Sequence, residues 1–256
     1  MRRVAAHALL AFCLAAPGAL AEDAPRASAS MRVALLAERI AKQHAQVGLG
    51  VLPERSRRAL AVAQRDLESA ARSLALSAQE PELRDNFILL AILVRDVRPW
   101  MSKPATRENA RALAERCEEI VWVAEEGARK IEQRRRTPPG SLALQAVQAA
   151  TLAQRVARLH LLRRGGMAGP SAGDPQESMA ALRARLALLA ASARNTPAID
   201  AELQVSRSQL DFLVTAAKEA DTGALASRRL EFIAKSADHL AESMERVAQL
   251  YEALVP

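Results

Sequence analysis

Apolar residues return every seven positions along this chain, and the runs that carry them end at proline and glycine. Leu60, Leu67 and Leu74 form one row, and Ile233, Leu240, Val247 and Leu254 form another, with Ala237, Met244 and Tyr251 beside the second. Such spacing gathers side chains on one face of an α-helix and scatters them over both faces of a strand. β-Branched, alternating runs are hardly present, and aromatic residues make up only 3% of the chain, so an all-α fold is predicted.

The breaks between runs predict eight helices. The first covers Ser30 to Val47 and stops at Gly48-Leu49-Gly50 and Pro53; the second covers Glu54 to Ser77. The third begins at Pro81, carries Leu83, Phe87, Leu90 and Val94 on one stripe, and breaks in the stretch Pro99 to Pro104. The fourth, Thr106 to Arg135, turns Leu113, Ile120 and Ile131 inward. Pro138-Pro139-Gly140 is expected to interrupt helix formation, so 136–141 reads as a linker, with Arg134-Arg135-Arg136 a solvated basic triplet. The fifth helix then runs from Leu142 to Arg164. Asp174 caps the sixth with Pro175 at its first position, Thr196-Pro197 opens the seventh, and the eighth follows Thr222-Gly223.

The two sets of four match residue by residue. Leu36-Ala37-Glu38-Arg39-Ile40-Ala41-Lys42-Gln43-His44 aligns with Leu152-Ala153-Gln154-Arg155-Val156-Ala157-Arg158-Leu159-His160, and Pro81 with Pro197, both at an offset of 116. After a shift of four residues Trp100 meets Phe212, and Ala112-Leu113-Ala114 meets Ala224-Leu225-Ala226. An internal duplication is therefore predicted: a first four-helix module over 22–135 and a second over 142–256, each an antiparallel up-down-up-down bundle.

Residues 1–21 have the pattern of an export signal, with Arg2 and Arg3, an apolar stretch from Val4 to Ala16, and Ala19-Leu20-Ala21 as cleavage site. Pro17-Gly18 interrupt the stretch too early for a membrane anchor, which needs roughly 20 apolar residues. Cys13 lacks the small residue directly before it that lipid attachment requires. The expected mature chain is a soluble periplasmic protein with no stable membrane insertion, and Cys117 is its one remaining cysteine. Removing Arg2 and Arg3 lowers the net charge from +7 to +5, 34 basic against 29 acidic side chains. Charges of both signs interleave along the helices and stacking aromatics are few, so a solvated surface is expected and a nucleic-acid partner is not.

At the two matched first-helix segments the chain resembles the type IV pili methyl-accepting chemotaxis transducer N-terminal family, the PilJ-type module, which is similar to the NarX-like nitrate-sensing periplasmic domain. Met31 to Lys42 occupies that family's first-helix pattern, with Arg39-Ile40-Ala41-Lys42 and Arg155-Val156-Ala157-Arg158 as the two fits. Pro53-Glu54-Arg55 and an aromatic late in the third helix of each set, Trp100 and Phe212, also agree. The resemblance implies a four-helix bundle that senses a small ligand, often an anion, near helix one. The family's arginine ahead of its Met-Leu pair is replaced by Ala34 and Ala150, which bind no oxyanion and disfavour nitrate or nitrite. Arg32 takes the preceding arginine's place in the first copy, and Gln148 in the second.

Arg39 and Arg155 are then the leading anion candidates, because a guanidinium fork meets an oxyanion bidentately. The alternative is an arginine that lies along the bundle edge and pairs with a carboxylate. His44 and His160 coincide under the repeat and are either a pH- or ligand-responsive pair or half-buried, hydrogen-bonded imidazoles. Metal ligation is not expected, since no Glu-x-x-His or Cys-x-x-Cys stands nearby. Trp100 and Phe212 either wall a pocket or belong to the core. No cofactor is expected, and no nucleophile motif calls for catalysis. Two functional expectations follow. One is a periplasmic small-ligand sensor that signals through a protein partner such as a membrane transducer; the other is a ligand-free helical adaptor that docks other proteins.

Overall fold

A computed structural model describes residues 26–134, 136–169, 173–219 and 226–255. The expected export signal, Arg135 of the basic triplet, and Thr222-Gly223-Ala224-Leu225 lie outside the described residues. Among those described there are eight helices and no strand: α1 (Ala27–Gly48), α2 (Pro53–Ser77), α3 (Pro81–Met101), α4 (Arg107–Arg134), α5 (Pro138–Arg164), α6 (Pro175–Ala190), α7 (Pro197–Glu219) and α8 (Ala226–Glu252). The protein is all-α.

The start of α5 differs from expectation because of the position of proline in the helix. Pro138 and Pro139 open α5 instead of preceding it, because the first turn needs no N–H partner there. Thr137 caps that turn by accepting a hydrogen bond from Gly140 N, so most of the expected linker is helix. Helix α3 ends at Met101, inside the stretch Pro99 to Pro104 where the break was expected; Pro99 stands in its last turn, where a proline costs little before the helix stops.

Helices α1 and α5 are central. Each packs against three neighbours, α1 against α2, α4 and α5, and α5 against α1, α6 and α8. Only Ala29, Arg32, Arg39, Val47 and Gly48 of α1 escape burial. A helix enclosed this way must bury its charged residues, and Glu38, Lys42, Gln43 and His44 are all inside. The outer pairs α2·α3 and α6·α7 sit further from this axis and close the remaining sides. One continuous apolar cluster draws on all eight helices, from Met31 and Leu35 through Phe87 and Ile120 to Leu161, Leu186, Leu213 and Tyr251.

Burial repeats along the chain with a definite register. Moving the buried positions of α1 forward by 116 lands on buried positions of α5, except that Leu152 and His160 are half-buried. The buried face of α3 meets that of α7 at the same offset, with Leu83, Phe87, Leu90 and Val97 answered by Ile199, Leu203, Ser206 and Leu213. Between α4 and α8 the offset is 120, and every buried position of α4 then falls on a buried position of α8. This corrects the four-residue shift read from the sequence. Trp100 corresponds to Ala216 rather than Phe212, because alanine- and leucine-rich helices match at several offsets and only burial distinguishes them.

Candidate functional site

The seam between α1 and α5 holds the strongest electrostatics in the molecule. Glu38, 1% exposed, accepts from Arg155 Nε at 2.7 Å and from Arg158 Nε at 2.6 Å. Arg158, itself buried, also donates to Glu118 of α4 at 3.0 Å. Burial alone would raise the Glu38 pKa, but the charges and hydrogen bonds of Arg158 and Arg155 outweigh it and hold the carboxyl below its ordinary range. Lys42, fully buried, pairs with Asp238 of α8. Asp238 also accepts from Gln154 Nε2 at 3.2 Å and lies 3.6 Å from Arg55. Burial pulls the Lys42 pKa down against the pull of Asp238. For Asp238, burial pushes the pKa up, yet Lys42, Gln154 and Arg55 bring it below the usual aspartate value.

These pairs are reciprocal between the two sets of helices. Arg39 of α1 reaches Glu245 of α8 at 2.8 Å, as Arg155 of α5 reaches Glu125 of α4 at 3.4 Å. Lys42 reaches Asp238 as Arg158 reaches Glu118. The cations are related by 116 and the carboxylates by 120, the registers that burial set independently. Such an exchange of equivalent contacts is the signature of a two-fold interface, here inside one chain.

The sequence candidates for anion binding therefore have carboxylate partners. Arg32 donates to both carboxylate oxygens of Glu252 at 3.0 Å, Arg39 is held by Glu245, and Arg155 by Glu38 and Glu125. His44 Nε2 lies 3.2 Å from the carbonyl of Lys103 in the α3–α4 turn, while its buried Nδ1 has no partner. Burial lowers the His44 pKa, and the carbonyl contact opposes this only in part. His160 is half-buried. Trp100 is half-buried with Lys103 Nζ 3.2 Å from the ring centre on one contact and Arg116 Cζ 3.8 Å away on another, a cation–π arrangement. Phe212 is 62% exposed on α7 and has no such surroundings. Cys117 is buried and free, and burial pushes its thiol up to about 12, so it is inert at neutral pH.

Besides a groove of about 380 Å³ between α7 and α8, lined by Glu202 and Arg246, two others among the described residues bear on the candidates. One, of about 330 Å³, lies where α1, α2 and α8 meet; Arg39, Arg55 and Asp238 line it, and so does Gln43, a buried amide whose Oε1 has no partner. The other, of about 460 Å³, runs between α2 and α3 and is mainly apolar. Leu76 is 81% exposed beside it, and Ile88, Leu89 and Ile92 stand out of α3 into solvent. Among the described residues no cluster of His, Cys, Asp and Glu has the makings of a metal site, and no helix is long and apolar enough to cross a membrane.

Sequence reasoning missed the residues that matter most here. Glu38, Lys42 and Arg158 were expected on a solvated face, because mixed-sign charges usually mark one. Their only signal is position: they sit inside the best-matching repeat segment, on the helices that carry the fewest long polar runs. Ile88 and Ile92 could have been found, since they fall off the α3 stripe of Leu83, Phe87, Leu90 and Val94, as Leu76 falls off the α2 row of Leu60, Leu67 and Leu74. No protein-family model, curated protein or solved structure matches this chain.

Proposed function

We propose that this chain is a tandem of two four-helix modules, joined face to face through α1 and α5, that works as an exported helical adaptor docking another protein. Its PilJ-type resemblance supports the module, and Arg2-Arg3, the apolar stretch and Ala19-Leu20-Ala21 support export to the periplasm. The observation that carries the adaptor reading is a contrast. The cations Arg32, Arg39 and Arg155, which an anion sensor would keep for its ligand, are spent on internal carboxylates, while Leu76, Ile88, Leu89 and Ile92 stay uncovered. No catalytic step forms part of this reading.

A photo-reactive residue introduced at position 92 tests it, with position 208 as control, in cells that make and export the chain. The expected result is one discrete cross-linked partner at 92 and none at 208. Equal labelling at both positions counts against a dedicated docking face.

A small-ligand reading has one specific observation in its favour, the unpartnered amide of Gln43 in the mixed-charge groove. A thermal-shift screen with nitrate, nitrite, phosphate and sulfate separates the two. A ligand at 100 times its dissociation constant adds about 2.7 kcal/mol of stability, so an anion sensor must show a raised melting temperature. The adaptor reading expects none.

A further inference from the structure

We infer that the groove between α2 and α3 receives an acidic amphipathic helix of a partner protein; this rests on the adaptor reading and names the kind of surface it docks. Three observations converge.

The first is shape. Ala71, Ala75 and Ala91 form a floor of small side chains, with Leu76 and Ile88 rising as walls. A trough running along two packed helices accepts a rod whose apolar ridge enters it, the geometry of helix-in-groove recognition. Its lining spans Glu68 to Leu76 on α2, roughly 12 Å at 1.5 Å per residue, so two to three turns of a partner helix fill it. A flat lipid surface cannot reach a concave alanine floor.

The second is an internal control. The corresponding helices of the second module expose apolar side chains at other positions, Leu188, Val205 and Phe212, but are more polar at the places that wall this trough. Helix α2 meets α6 at an offset of 115, at which buried Ala63, Leu67, Ala71 and Leu74 fall on buried Ser178, Leu182, Leu186 and Leu189. At the burial register, Ile88 and Ile92 are answered by Gln204 and Ser208, and Leu76 by Ala191. Leu89 keeps a branched apolar counterpart, Val205, and Leu76 is cut back to a methyl group. Ile88 and Ile92 are 46% and 38% exposed, and the fold makes no demand for isoleucine at positions where its own copy carries glutamine and serine.

The third is charge. Arg72, Arg95 and Arg98 stand around the trough against a single acid, Glu68. Arg98 lies 3.6 Å from Glu68, Arg95 pairs only with its exposed neighbour Asp96, and Arg72 has no ion-pair partner among the described residues. Asp211 takes the place of Arg95 in the second module, and Ala187 that of Arg72. A basic rim around an apolar trough selects a helix with carboxylates flanking its apolar stripe.

The test uses the mature chain and two synthetic peptides of about 14 residues, both with leucines at helical i, i+3, i+4 and i+7 spacing, one flanked by glutamates and one by lysines. Fluorescence anisotropy is expected to give the acidic peptide a Kd of about 10–100 μM, the weak range of a small interface, and the basic peptide at least tenfold weaker binding. Ile88→Gln with Ile92→Ser, residues the second module already tolerates, should weaken the acidic peptide at least tenfold while the melting temperature holds. Arg72→Glu with Arg95→Asp should reverse the preference between the peptides.

Equal binding of both peptides, or binding that survives Ile88→Gln with Ile92→Ser, overturns the inference. So does co-sedimentation with phosphatidylglycerol vesicles that depends on Ile88 and Ile92, or a concentration-dependent dimer lost in the same variant. The two readings fail separately. A partner cross-linked at position 92 without acidic preference leaves the adaptor standing and removes the acidic helix; peptide binding with no cross-link at 92 does the reverse.

Discussion

Glu38 shows how little a residue's type says about its setting. In the sequence it is one acid among interleaved charges, four positions before Lys42, the spacing of a surface ion pair. In the fold the two do not pair: Glu38 turns to Arg155 and Arg158 of α5, and Lys42 to Asp238 of α8. Buried charges tolerate no loss of a partner, so these residues tie the helices to one arrangement. His44 adds a titratable group to the same helix. Its folded pKa lies below its ordinary 6.5, so the unfolded chain takes up the proton first. The contribution of His44 is full above about pH 6.5 and declines as pH falls from there through its lowered value. Glu38 and Asp238, also depressed, act in the same direction at lower pH, below their ordinary 4.5 and 3.8. Urea midpoints should therefore hold steady between about pH 6.5 and about pH 8 and fall below about pH 6.5, and His44→Asn should remove that first decline while leaving the carboxylate one. Above the ordinary 9.0 of its thiol, buried Cys117 adds a second decline, because the unfolded chain ionises first.

At the level of elements, close approach is set by small residues at a few crossings. Gly127 of α4 is the clearest, since a Cβ there would lie 2.6 Å from the Phe87 ring, 2.9 Å from the Asn86 amide and 2.9 Å from Ser30 Oγ. The gap lets Ser30 donate to the Ala124 carbonyl at 2.7 Å and Asn86 to the Val123 carbonyl at 3.1 Å, so three helices meet at one point. At the matching register of α8, 120 residues on, Val247 occupies the corresponding buried place. Gly127→Ala, harmless in an isolated helix, should cost about 1–3 kcal/mol by overpacking. Chemical denaturation with helicity as the readout measures it, and a stability gain would mean that Phe87 and Asn86 move aside freely. Helix positions were mostly legible beforehand, because proline, glycine and heptad rows mark ends and faces locally. The start of α5 was not: Pro138-Pro139 breaks a helix or opens one, and the choice fell to Thr137 and to Pro139, which is buried.

For the whole molecule, the reciprocal pairs across α1 and α5 bind two similar halves into one body. Each central helix has neighbours from both halves, and a single apolar cluster runs through them. The intact chain should therefore unfold in one cooperative transition, with calorimetric and van't Hoff enthalpies equal. Two resolved transitions would mean that the halves are stable alone and merely tethered.

Periodicity and punctuation were enough to establish that the chain is helical and where most helices begin and end, since each depends on neighbours within a turn or two. They could not establish which helices lie at the centre. A heptad row defines one buried face, whereas α1 and α5 are covered on nearly all sides, and only assembly reveals that their arginines and lysine meet carboxylates from distant helices. The same holds for the register of α4 against α8, which repeated alanine and leucine leave ambiguous until burial selects it. Leu76, Ile88 and Ile92 were legible as apolar residues off their helices' stripes, but only the assembled fold decides that no other helix covers them.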